Sequence, residues 1–368
     1  MDFALTEDQV ALQEAARQLL DDEASPARVR RHLTTDEPYD VGLWRAMVDQ
    51  GWLGVAVPED RGGLGLGWVE AAVLLDELGR HAAPVPFLPH LLAAAALDVA
   101  GEAGDDGAGR WAASLVAGER LGCVAWDPRP DWLTATADGG GWRLCGRTGP
   151  VEGASAADVV VVPGRRGLFA VDLSAVGRPP AESAMDLTRS LSWLDLDDVA
   201  AVHIGGPQAA ADLLDRGAVG TSAMMLGGAD RVLEMTTQYA KDRVQFDQPI
   251  GSFQAVKHRC ADMLVDVEGM RSVTWYGAWA IDAATDDARL EASMAKIWCS
   301  DAAKRVMGSG LQVHGGIGFT WDHDLHLFIK RAQSDALAFG SASYHRERLA
   351  DLLDGGAAGP TSRRPEGG

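Results

Sequence analysis

The chain changes its periodicity twice, and that partition limits the folds open to it. Up to about Gly118 apolar positions recur at helical spacing. From Leu121 to about Ile204, short Val/Leu/Thr/Trp runs such as WRLCG (142–146), DVVVV (158–162) and GLFAV (167–171) alternate with Gly, Pro and Asp turns. Spacing of that kind predicts a small antiparallel β unit, a barrel or sandwich. From Gln208 helical periodicity returns and holds to Leu353, with breaks near Gly251, Asp286 and Gly315. The order helix, β unit, helix excludes the alternating βα pattern of a doubly wound sheet and gives an α+β chain with a β insert. The predicted organisation is an N-terminal helical domain over 1–118, a central β domain over 119–205 and a C-terminal helical domain over 206–354. A Gly/Pro/Arg-rich tail over 355–368 is predicted to be disordered.

Local signals place the first elements. Thr6 and Gln9 form the pattern of a capping box, and apolar residues follow at Val10, Leu12, Ala15, Ala16 and Leu19. A second helix is expected over 40–48, and a turn-rich loop, VPEDRGGLG (57–65), precedes a strongly helical segment over 68–80. After the PVP punctuation at 84–86 an Ala/Leu-rich helical stretch continues to about Ala117.

At 368 residues the chain exceeds what one hydrophobic core usually serves, so two or three subdomains are expected. A formal charge of −20 argues against nucleic acid and against an anionic membrane surface as partners. The longest apolar runs, such as 91–100, are too short to span a bilayer. No basic segment followed by an apolar one opens the chain, as a secretory signal would require. Cys123, Cys145, Cys260 and Cys299 lie far apart without CxxC spacing, which points to buried reduced thiols and to the cytoplasm. HDLH (323–326) sets two histidines three residues apart without a third ligand in register, so no metal site is expected.

The segment 239–263, YAKDRVQFDQPIGSFQAVKHRCADM, carries the densest chemistry. Arg243 offers a guanidinium fork that matches phosphate geometry, and Phe246 a flat face for an aromatic ring. Further on, Gln312 can hydrogen-bond an amide-like edge, and Gly315 and Gly316 let the backbone approach a ligand. The plainer alternative pairs Arg243 with Asp242 or Asp247 on a solvated face and places Phe246 in the core. RVQF followed by PIGSFQ resembles a signature of the acyl-CoA dehydrogenase family. QVHGGIGF (312–319), PEDRGGLG (58–65) and WRLCG with the later Ala157–Asp158 are similar to three further stretches of that family, in the same order. The resemblance implies a helical N-terminal domain, a small central β-barrel and a C-terminal four-helix bundle. It also implies FAD as cofactor, with Arg243, Gln245, Phe246, Gln254, Gln312, Gly315 and Gly316 serving mainly the FAD of a neighbouring subunit. The activity implied is α,β-desaturation of an acyl-CoA thioester, in a homo- or hetero-tetramer that passes electrons to an electron-transferring flavoprotein.

The resemblance fails at the proton-accepting position. Most of the family carries a glutamate there, and carried over without gaps that position falls on Phe339, before Gly340–Ser341. A minority places the base at the start of the helix before RxxF, which falls here on Gly217. Asp215, two residues earlier and about 200° around a regular helix, is the candidate that remains. The β region, reading VAWDPRPDW (124–132), also lacks the Thr-Glu-Pro and Gly-Ser-Asp stretches with which the family cradles its own flavin. Losses of this kind resemble members that assemble with a second, complementary subunit, as in the breakdown of steroid side chains and other bulky acyl-CoAs. A non-catalytic partner completing another chain's FAD site, or a flavin oxidase or monooxygenase on the same fold, are the alternatives.

Overall fold

Thr6 opens the first helix as its sequence predicts: its hydroxyl accepts from Gln9 N–H at 3.2 Å and its own N–H donates to Gln9 Oε1 at 3.0 Å. The computed structural model describes residues 4–129 and 131–354, so the predicted tail lies outside the described residues. The N-terminal helices are α1 (Glu7–Glu23), α2 (Pro26–His32), α3 (Val41–Asp49), α4 (Trp68–Arg80), α5 (Phe87–Glu102) and α6 (Asp106–Val116). Helix α2 is absent from the expectation, although Pro26 at its first turn and three basic residues in its last are ordinary helix boundaries.

Strands follow: β1 (Gly122–Val124), β2 (Leu133–Asp138), β3 (Gly141–Glu152), β4 (Val159–Gly164) and β5 (Gly167–Asp172), then the single turn α7 (Leu173–Val176) and β6 (Leu191–Gly205). Their order across the sheet is β1-β4-β5-β6-β3-β2. The long β6 pairs with β3 along most of its length and with β5 at its end, so one strand serves both halves of the β unit. One detail departs from an all-antiparallel unit, because β1 pairs parallel to β4. The β2–β3 hairpin lies between them in sequence and gives the long connection that a parallel pair needs. All four cysteines are free, but only Cys123 and Cys299 are buried, and Cys145 on β3 is exposed.

The C-terminal helices are α8 (Pro207–Asp242), α9 (Gln254–Asp282), α10 (Ala288–His314), α11 (Leu325–Asp335) and α12 (Ala342–Leu353). Helices α8, α9 and α10 pack on one another, with α11 and α12 against them. The order of N-terminal helices, β unit and C-terminal helical bundle agrees with the expected architecture. No helix among the described residues is long and apolar enough to cross a membrane.

Helix α4 joins the N-terminal helices to the bundle. It is buried on nearly every face, and it meets α8 through glycines on both sides. A Cβ on Gly79 would collide with the Met224 carbonyl, and one on Gly227 with the Asp76 carbonyl. Both collisions are with backbone, which cannot rotate away. Replacing Gly227 with alanine should therefore force the helices apart and lower the unfolding free energy by about 2–3 kcal/mol in urea titrations.

His90 performs a similar joining role by hydrogen bonding. It is fully buried; its Nδ1 accepts from Gly122 N–H and its Nε2 donates to Leu115 O, both at 3.2 Å, tying α5 to α6 and β1. Burial pulls its pKa down to about 4. The unfolded chain therefore takes up a proton near pH 6.5 that the native chain refuses, and this stability is lost as pH falls from about 7 toward 4. In urea titrations from pH 7 to 5, His90→Gln should be less stable at pH 7 and lose less stability on acidification than the parent.

Candidate functional site at the bundle end and the domain junction

The RVQF and QVHGGIG stretches end two helices that run in the same direction, and the fold brings them together. Tyr239 on α8 stacks on His314 on α10 with ring centroids 4.6 Å apart. His314 Nδ1 lies 2.8 Å from Gly310 O, and its ring also meets His323 edge-on at 4.6 Å. His314 is thus a packing residue at the junction of the two motifs.

Past Tyr239 the chain turns in a two-residue hairpin, β7 (Val244–Gln245) and β8 (Gln248–Pro249). Phe246 and Asp247 occupy its tip at φ 54° and 63°. Two successive left-handed residues give the twist that a tight hairpin needs, here without glycine. Ile250 N–H closes the loop on Arg243 O at 2.8 Å. The side chains face outward: Arg243, Gln245, Gln254, Gln312 and Gly316 are exposed, and Phe246 is 86% exposed, touching Phe253 edge-on. Phe246 is therefore not core. Among the described residues Arg243 forms no ion pair, so neither Asp242 nor Asp247 neutralises it. Gly315 has φ 63°, and a Cβ on Gly315 or Gly316 would meet nothing within 4 Å.

A second feature lies inside the chain. A cavity of about 640 Å³ opens where the β unit meets the bundle, lined by Trp126, Gly149, Pro150, Leu191, Leu337 and Phe339 among others. Positions 217 and 339, to which the resemblance carries the base, lie against each other beside it. Gly217 on α8 faces the ring of Phe339, which a Cβ at 217 would strike. Phe339 sits at φ 51°, its carbonyl accepts from His345 Nε2 at 2.8 Å, and its ring tilts over Trp126 with centroids 6.3 Å apart. The phenyl ring thus fills the space that a side chain at 217 would enter.

Asp215 takes a different direction. Its buried carboxylate meets Arg348 Nη1 at 2.6 Å and Arg289 Nε at 3.8 Å, and it borders a separate pocket of about 310 Å³ rather than the larger cavity. Burial raises its pKa, against the opposing pull of Arg348 and Arg289.

The larger cavity holds charged side chains that the motifs did not reveal. Glu152 on β3, with Asp186 and Arg189 from the segment before β6, lines it. Arg189 donates to Asp335 of α11 at 2.5 Å and lies 3.6 Å from Glu152 and 3.8 Å from Asp186. Arg331 donates to Ala83 O at 2.9 Å and to Thr188 Oγ1 at 3.0 Å. Burial raises the pKa of Glu152, partly offset by Arg189 and Arg331. These groups come from separate elements, and β3 shifts register between Arg147 and Pro150, so no alternation in the sequence marks Glu152 as inward.

Two family models match the chain: acyl-CoA dehydrogenase, N-terminal domain, over residues 6–119, and acyl-CoA dehydrogenase, C-terminal domain, over 205–353. The chain belongs to the acyl-CoA dehydrogenase family, whose members are FAD-dependent oxidoreductases acting on acyl-CoA. It is 34% identical to acyl-CoA dehydrogenase FadE27 of Mycobacterium tuberculosis, covering 95% of this chain and 98% of that protein. It is 32% identical to acyl-CoA dehydrogenase IpdE2 of Mycolicibacterium smegmatis, covering 94% and 98%. A chain of the ChsE4-ChsE5 complex from Mycobacterium tuberculosis superposes with a TM-score of 0.90 at 33% identity, over 97% of this chain and 100% of that one.

The clamp on Asp215 is testable. Arg348→Met should leave a buried carboxylate short of its nearest partner and cost about 3–5 kcal/mol. Adding Asp215→Asn should restore much of that loss in urea titrations.

Proposed function

We propose that this chain is one subunit of an FAD-dependent acyl-CoA dehydrogenase that desaturates an acyl-CoA thioester, and that it completes an FAD site held mainly by a neighbouring chain. The observation that carries this reading is the outward-facing group at the bundle end. Among the described residues Arg243 has no ion-pair partner, Phe246 is exposed, and the Gly315–Gly316 turn is open, all beside the Tyr239–His314 stack. Such a group fits part of a dinucleotide: Arg243 binds a phosphate, Phe246 covers a ring, Gln312 hydrogen-bonds a polar edge, and the glycines admit close approach. Gln245 and Gln254 supply further polar contacts from the two sides of the hairpin. FAD bound there supplies a hydride acceptor for the β-hydrogen of the thioester.

The assembly is a tetramer with a second acyl-CoA dehydrogenase subunit, a reading supported by the likeness to a chain of the ChsE4-ChsE5 complex. Electrons leave to an electron-transferring flavoprotein, following the family's habit. The cytoplasm is the compartment that suits four free cysteines. The chain leaves the α-proton to its partner's base, because Phe339 fills the space that a side chain at 217 would enter and Asp215 is committed to Arg348.

One observation favours a second reading, in which this chain desaturates in its own cavity. Glu152 is a cavity carboxylate with a raised pKa, the property a general base near neutral pH requires.

Purification of the chain alone and with an acyl-CoA dehydrogenase encoded beside it separates the readings. Flavin absorbance and acyl-CoA-dependent bleaching should appear only in the complex. Arg243→Ala should lower flavin content and turnover of the complex by about tenfold or more. Glu152→Gln and Asp215→Asn should leave its turnover unchanged. A lone chain that is yellow, active and silenced by Glu152→Gln would establish the second reading instead.

A further inference from the structure

Three imidazoles gather where the Gly315–Gly316 turn meets α11. His314 is the last residue of α10, His323 lies just ahead of α11, and His326 is the second residue of α11. The rings of His314 and His323 meet edge-on, with centroids 4.6 Å apart.

The partners of these rings require them neutral. His323 Nδ1 accepts from Leu325 N–H at 3.2 Å, so that nitrogen carries the lone pair. The bond satisfies one of the first N–H groups of α11, whose N-cap residue, Asp324, makes no side-chain cap. His314 Nδ1 donates to Gly310 O, which leaves the lone pair on Nε2, buried and without a hydrogen-bond partner among the described residues. The cap and the turn are joined by packing. A Cβ on Gly318 would lie within 3.3 Å of side-chain atoms of His314, Leu311 and the buried Leu325, so the turn rests on both helices.

A proton undoes this arrangement. On His323 Nδ1 it sets a donor against a backbone donor and a positive charge at a helix N-terminus, where the dipole opposes it. On His314 Nε2 it meets no acceptor, although the C-terminus of α10 favours a cation there. His323 is therefore the ring that decides. Its surroundings offer little neutralisation. Asp324 is already paired with Arg30 of α2 at 2.6 Å. Lys330 of α11 stands 3.8 Å over the Trp321 ring, which His326 meets edge-on, and α8 presents the uncharged Tyr239 ring to His314. Burial lowers the pKa of His323, with Asp324 opposing and Arg30 assisting, and burial lowers those of His314 and His326 as well. The cap is thus complete above the ordinary histidine value of about 6.5 and is lost as pH falls through the lower values of the folded chain.

We propose that His323 is a proton-sensitive latch: neutral, it holds the Gly315–Gly316 turn and the first turn of α11 shut, and protonated it releases both. The effect on cofactor rests on the FAD reading, since Gly315 and Gly316 belong to the segment that opens; the opening itself does not.

Amide hydrogen exchange of the full chain, in its complex where it needs one, tests the latch between pH 7 and 5 after correction for intrinsic rates. Peptides covering 315–327 should lose protection by about tenfold or more, while those of α4 keep theirs. His323→Asn puts an amide oxygen in reach of the same N–H, two residues on, without a group that titrates. That variant should stay protected at both pH values, and His323→Ala should be open at both. Unchanged protection of the parent at pH 5, loss at 315–327 only in step with α4, or opening of His323→Asn at pH 5 would each overturn the proposal. Flavin content of the complex should follow exchange, falling at pH 5 in the parent and holding in His323→Asn. Exchange that switches while flavin does not respond would overturn the FAD reading of this turn and leave the latch standing.

Discussion

The close approach of α4 to α8 is the contact on which the rest of the structure depends. Two glycines, Gly79 and Gly227, let the backbones touch, and a methyl group at either would strike a carbonyl. Because α4 is buried on almost all sides, the N-terminal helices are held against the bundle rather than tethered by a linker. That fixes α5, which supplies Pro89 to the cavity and His90 to β1. The position of the β unit over the bundle follows from the same contact.

Charge holds the joint on the other side. Arg189 reaches from the β unit to Asp335 on α11, and Arg331 reaches from α11 to the Ala83 carbonyl and Thr188. A buried ionic cluster of this kind is a poor source of net stability, since each ion gives up its hydration. It enforces one arrangement instead, because sliding the β unit along the bundle would strand several charges at once. Lys296 extends the cluster into α10 by donating to the Asp335 carbonyl, and burial lowers its pKa to about 7.

Much of the fold was legible in the sequence where local chemistry decides it. The Thr6–Gln9 box, the helix over 68–80 and the breaks near 251, 286 and 315 follow from side chains adjacent in the chain. The hairpin motif was legible for the same reason, being continuous from Arg243 to Gln254. What stayed hidden is built from distant residues. Nothing near Gly217 announces that its missing side chain makes room for Phe339, and nothing near Glu152 announces Arg189 or Asp335. The parallel pairing of β1 with β4 was hidden as well, since a three-residue strand carries no sign of its direction. Tertiary packing, rather than propensity, decided these features.

The contact between Gly217 and Phe339 also constrains how the chain can change. The ring and the absent side chain share one volume, so the two positions are not free to vary independently. A carboxylate arising on α8 at 217 would collide with the ring until residue 339 became smaller, whereas a change at 339 meets no such obstacle from a glycine. The mutational path toward an acidic group at this spot is therefore directional, open first from the loop after α11 and only afterwards from α8. A lineage that keeps the aromatic ring at 339 therefore keeps glycine at 217.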